Sequence, residues 1–104
     1  MYVKLSDEQL FLIRYALLKA CAYEVENLKY IDHCSDTRKH PSISAARSLV
    51  AEYLNMHLFL MQASAASGTK GERDEAERDA WTNIKMVAGE WNREIRRIKS
   101  HEKV

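Results

Sequence analysis

At 104 residues the chain has room for one domain, spanning 1–104, and not for two. Its 16 basic and 15 acidic residues leave a net charge of +1, which excludes a global field that would draw in nucleic acid or an anionic membrane; any such binding has to be local. A hydrophobic fraction of 46% belongs to a folding chain rather than a disordered one, and no apolar run approaches the roughly 18 to 20 residues that span a bilayer. The opening MYVKLSDEQ has no basic n-region and no cleavable apolar core, so the expected location is the cytoplasm. Cys21 and Cys34 show neither a metal spacing nor a disulfide framework.

Helix 1 is expected over about 7–33. Ser6 can cap its N-terminus while Gln9, three residues on, returns the capping-box bond, with Leu5 and Leu10 at the two positions of a hydrophobic staple. The segment Cys34 to Pro41 has no apolar period and ends in a proline that pushes His40 out of the helical region. Ser42 or Ser44 then caps helix 2, expected over about 43–66, and Ser67-Gly68 supplies a stop with glycine for a left-handed C′ position. Thr69 and Glu72 form a second capping box that opens helix 3, about 70–100. Helix 3 carries Glu72, Asp74, Glu75, Glu77 and Asp79 at its start and Arg93, Arg96, Arg97 and Lys99 at its end, which matches the helix macrodipole. Each helix is about 25 to 30 residues, roughly 40 Å at 1.5 Å per residue, and short connections favour an up-down-up order.

The three helices differ in how much of their surface is apolar. Helix 3 collects Ala80, Ile84, Val87, Ala88, Trp91, Ile95 and Ile98 on one stripe, with Trp81 at its edge and Gly89 on the opposite, polar side. Helix 1 has a stripe of Leu10, Ile13, Leu17, Ala20, Cys21, Leu28 and Ile31, flanked by Phe11, Leu18 and Val25 on one side and by Leu12, Ala16, Tyr23 and Tyr30 on the other. Helix 2 places Ala46, Leu49, Val50, Tyr53, Met56 and Leu60 on its stripe, with Leu54, Leu58, Phe59 and Met61 around it. A helix that is apolar on two sides needs two neighbours. In a three-helix monomer Leu12, Tyr23, Tyr30, Leu58 and Phe59 would form a larger exposed patch than monomers usually tolerate. The expectation is a homodimer through helices 1 and 2, with Leu12, Ala16, Tyr23, Tyr30, Leu54, Leu58 and Phe59 in the interface.

Two polar residues interrupt the stripes. Glu24 falls in the middle of helix 1's apolar face and His57 within that of helix 2, where each must be paired or kept neutral. A hairpin pivoting near Thr37 sets Glu24 level with Val50 and Tyr53, and His57 near Leu17. A Glu24 to Tyr53 hydrogen bond is therefore easier than a Glu24 to His57 pair, and Glu24, Tyr53 and His57 are taken as satisfied buried polar groups that fix register. Their alternative role is the lining of a small-molecule sensor pocket. Asp32, His33, Cys34, Asp36 and His40 are all potential metal ligands, but they supply no pair of pairs at zinc spacing, and no metal or cofactor is expected. There is no glycine-rich phosphate loop, no Glu-x-x-His pair and no nucleophile elbow.

Arg93, Arg96, Arg97, Lys99 and His101 form the one local excess of positive charge, diluted by Glu90, Glu94 and Glu102. They are the candidate nucleic-acid contacts. Within them Arg96-x4-His101 resembles the Arg-x4-6-His motif of the HEPN family of helical RNases. That resemblance implies RNA cleavage by Arg96 and His101 across a dimer interface. The pattern covers only the C-terminal tip, whereas the family carries its motif inside the bundle, so the chain is not assigned to the family. The sequence reads as an all-α bundle of three long helices, up-down-up, dimerising into a larger bundle. Its expected function is that of a non-enzymatic interaction protein, with a helical nuclease or nucleic-acid binder as the rival.

Overall fold

The computed structural model describes residues 5–100. Helix α1 spans Asp7–Asn27, a single 3-10 turn follows over Leu28–Tyr30, α2 spans Pro41–Ala65 and α3 spans Lys70–Ser100. No strand occurs among the described residues. The helices run up-down-up: the end of α3 returns to the end of α1, where Arg97 reaches the carbonyls of Leu28 and Ile31, and Asn83 of α3 lies beside His57 of α2.

The start of α1 follows from its capping box. Ser6 is extended (φ −71°, ψ 162°), its Oγ accepts from the Gln9 amide at 3.1 Å, and the Gln9 side chain accepts from the Ser6 amide at 2.9 Å. Two of the four amide donors left open by the helix start are thus satisfied. The end of α1 differs from the expectation. The α-helix stops at Asn27 and a 3-10 turn carries the chain to Tyr30, short of residue 33; Ile31 turns extended (φ −97°, ψ 113°), and the Leu28 and Ile31 carbonyls accept from the Arg97 guanidinium at 3.0 and 3.1 Å.

Helix α2 also begins earlier than expected, at Pro41. Proline is pre-set for the first helical position, and the residue it holds extended, His40, serves as the cap in place of Ser42 or Ser44: its Nδ1 accepts from the Ile43 amide at 3.4 Å. At the other connection Gly68 has no positive φ, so the left-handed stop expected there does not form. Instead the Gly68 carbonyl accepts from Arg73 at 2.6 Å, while Thr69 Oγ1 accepts from the Glu72 amide at 3.2 Å and opens α3.

The core is concentrated at one end. Cys21, Val25 and Leu28, then Ile43, Ala46 and Val50, then Val87, Trp91, Ile95 and Ile98 form one buried cluster, with Leu18, Ile31, Cys34, Tyr53 and Leu54 packed against it. These buried residues all lie toward the end crossed by the 31–40 connection. Towards the other end the buried residues are His57, Met61 and Ala80. Several residues placed on buried stripes by periodicity are exposed there or alongside: Ile13, Leu49, Met56 and Ala88. The reason is a small rotation, since α2 centres its buried face on His57, with Val50 and Met61 either side, and turns Leu49 and Met56 outward.

Candidate functional site

Two features stand out for function: apolar side chains left on the surface, and a polar cluster sealed in the thinly packed half of the bundle. The molecule measures 53 × 26 × 20 Å with a radius of gyration of 16.4 Å, against about 13 Å for a compact chain of this length.

Several large apolar side chains stand on the surface. Tyr30 is 83% exposed, Tyr23 and Phe59 66% each, Phe11 59% and Leu12 57%. Ala16 is exposed as well, whereas Leu54 and Leu58 are half-buried, Leu54 being packed against the core. Further exposed side chains not assigned to the interface by periodicity are Phe11, Tyr15, Met56, Trp81 and Met86. Phe11 and Tyr15 stack with ring centroids 6.3 Å apart, and the Lys19 ammonium sits 5.4 Å over the Tyr15 ring. Tyr15, Leu18 and Lys19 line an open cleft of about 250 Å³ against Met86, Val87 and Glu90 of α3. A second cleft of about 280 Å³ continues along the same α1–α3 groove past Ala22, Val25, Glu26 and Lys29, facing Glu90, Arg93 and Glu94. Gly89 is exposed, and a Cβ added to it would meet nothing within 4 Å.

The buried polar cluster differs from the one read in the sequence. His57 is 0% exposed, but its partner is Asn83, whose amide nitrogen lies 3.3 Å from Nε2. The charge that acts on it is Arg14, one helical turn from the expected level of Leu17. Glu24 and Tyr53 are half-buried, and the hydrogen bond between them is not formed among the described residues; partial exposure leaves the carboxylate its water. Neither cleft described above is lined by Glu24, Tyr53 or His57. His57 Nδ1 and Arg14 Nε are buried without a hydrogen-bond partner. Burial first, and the Arg14 charge second, hold the His57 pKa below its ordinary value of 6.5. Arg14 and Asn83 were missed by sequence reasoning although the spacing marks them: Arg14 falls four after Leu10 and seven before Cys21, and Asn83 three after Ala80 and four before Val87. Both occupy helical repeats of the buried face.

The polar connection is occupied with holding itself together. His33 Nδ1 bonds the Ile98 carbonyl at 2.9 Å, Cys34 Sγ donates to the Asp36 carbonyl at 3.3 Å, Asp36 Oδ1 accepts from the Arg38 amide, and His40 caps α2. No group of three metal-ligating side chains converges among the described residues. Both cysteines are free thiols, and burial pushes the Cys21 pKa up to about 11, so this thiol stays protonated and acts as a small hydrophobe. In the basic segment Arg93, Arg96 and Lys99 are exposed. Arg97 is engaged with two carbonyls and Glu94. His101 lies outside the described residues, so the Arg96 and His101 pair of the HEPN-like pattern has no described geometry. No described helix is long and apolar enough to cross a membrane.

The chain matches no family model, no curated protein and no solved structure. Its surface has to be read from its own chemistry.

Proposed function

We propose that this chain is a small, non-enzymatic, cytoplasmic interaction protein that acts by presenting helical surface to another macromolecule, as an adaptor, inhibitor or assembly factor. It also pairs with a second copy of itself through α1 and α2, forming a larger helical bundle. The observation that carries this reading is the set of large apolar side chains left on the surface: Tyr23, Tyr30, Leu12 and Phe59 are each more than half exposed. Aromatic side chains of this kind are enriched at the centres of protein interfaces, and a net charge of +1 puts little overall repulsion between two copies.

The test uses exposed positions so that folding is left alone. Tyr23→Glu combined with Phe59→Glu places a charge in the proposed interface without entering the buried cluster. The expected result is half the wild-type mass in solution at unchanged helicity. An unchanged mass would remove these two side chains from any interface.

A further inference from the structure

We propose that His57 is a pH-operated latch: neutral, it bonds α2 to Asn83 of α3 and accommodates Arg14 of α1 beside it in the thinly packed half of the bundle, and on taking up a proton it repels Arg14 and releases the first half of α1, residues 7–18, while the opposite end stays closed. The inference goes beyond the association described above and does not rest on it, since a monomer would carry the same latch.

The tautomer of the ring follows from which way Asn83 turns its amide. With the Asn83 amide donating to Nε2 at 3.3 Å, the ring proton sits on Nδ1, which is buried with no acceptor. A second proton would have to go on Nε2. Asn83 can turn its amide and offer the oxygen, but Nδ1–H then still lacks a partner inside a residue that is 0% exposed. The groups that face the ring give the cation no compensation: α1 brings the Arg14 guanidinium, itself with a buried, unpartnered Nε, α3 brings the uncharged Asn83, and no carboxylate acts on the ring from α2 or from either neighbour. An imidazolium that is buried and stands beside a guanidinium is unfavourable on both counts.

Release is local because packing is uneven. The buried cluster from Cys21 to Ile98 lies on one side of the latch, and on its other side the buried hydrophobic residues among those described are Met61 and Ala80. In the first half of α1, Phe11, Leu12, Ile13 and Tyr15 already face solvent, leaving Leu10, Leu17 and Leu18 half-buried to hold it. The sign follows from linkage. The closed form binds its proton below 6.5, so the open form, with an ordinary imidazole, takes protons up first as pH falls. The opening equilibrium then grows by up to about tenfold per pH unit below 6.5, levelling off once the closed form is protonated too.

The experiment is an NMR titration of the full chain from about pH 7.5 to about pH 5, above the ordinary carboxylate range, following the His57 ring and the hydrogen-exchange protection of backbone amides corrected for intrinsic rate. The expected result is a ring that titrates below 6.5, with the amides of residues 10–18 losing protection in the same step and those of Val87–Ile98 keeping theirs. His57→Gln abolishes the step. Should that variant fail to fold, Arg14→Met serves: removing the guanidinium raises the ring's pKa toward 6.5 and shrinks the opening. A ring that titrates at or above 6.5, loss of protection in all three helices together, or a step that survives His57→Gln would each overturn the latch.

Discussion

Arg97 does for the end of α1 what the backbone there cannot do for itself. Its Nη2 donates to the Leu28 and Ile31 carbonyls and its Nε to Glu94 Oε1 at 3.1 Å, so one half-buried guanidinium joins the last turn of α3 to the last turn of α1. Hydrogen bonds to charged donors contribute more than neutral ones. Replacing Arg97 by methionine keeps the stem and removes the donors, and is expected to cost about 2 to 3 kcal/mol in urea unfolding; a loss below about 0.5 kcal/mol would mean that water takes over both carbonyls. In the sequence Arg97 read as one of several terminal cations complementing a dipole, because nothing in a periodic pattern distinguishes a solvated arginine from one that reaches across the bundle. His57 was legible as an anomaly, since a histidine amid apolar neighbours at helical spacing stands out. Arg14 and Asn83 were not, although their spacing placed them on the same faces. Long or small polar side chains at such positions usually reach water, and which of them turn inward depends on the neighbouring helix.

Among the elements, the legible boundaries are those written in local chemistry. The Ser6 and Gln9 box fixed the start of α1, and Thr69 with Glu72 the start of α3. Two boundaries were displaced: α1 gives way at Asn27 to a 3-10 turn beside which Arg97 of α3 bonds the Leu28 and Ile31 carbonyls, and α2 starts at Pro41 because a histidine rather than a serine takes the cap. Gly89 offers a clean test at this scale. It lies inside a 31-residue helix, without positive φ, and a Cβ there meets nothing within 4 Å. Gly89→Ala is therefore expected to stabilise the chain by about 0.5 to 1 kcal/mol, the difference in helix propensity, read as a higher urea midpoint at unchanged slope. A destabilised variant would show that the bare backbone at this position is already approached closely by something, which an added methyl displaces.

Across the bundle as a unit, the all-α class and the order of three helices were legible from periodicity and caps, and the uneven core was not. Periodicity assigns a face to a helix but not the neighbour that covers it, so Leu49 and Met56 were placed inward and Leu54 at a dimer interface, whereas a modest rotation of α2 reverses their exposure. The product is an elongated bundle, packed at one end, with exposed rings along its length, from Phe11, Tyr15, Phe59 and Trp81 to Tyr23 and Tyr30 at the packed end. A second copy is expected to cover that surface, and absolute mass in solution decides whether it does. Light scattering from low to high micromolar concentration is expected to give twice 12.1 kDa throughout. A mass of 12.1 kDa across the whole range would contradict self-association.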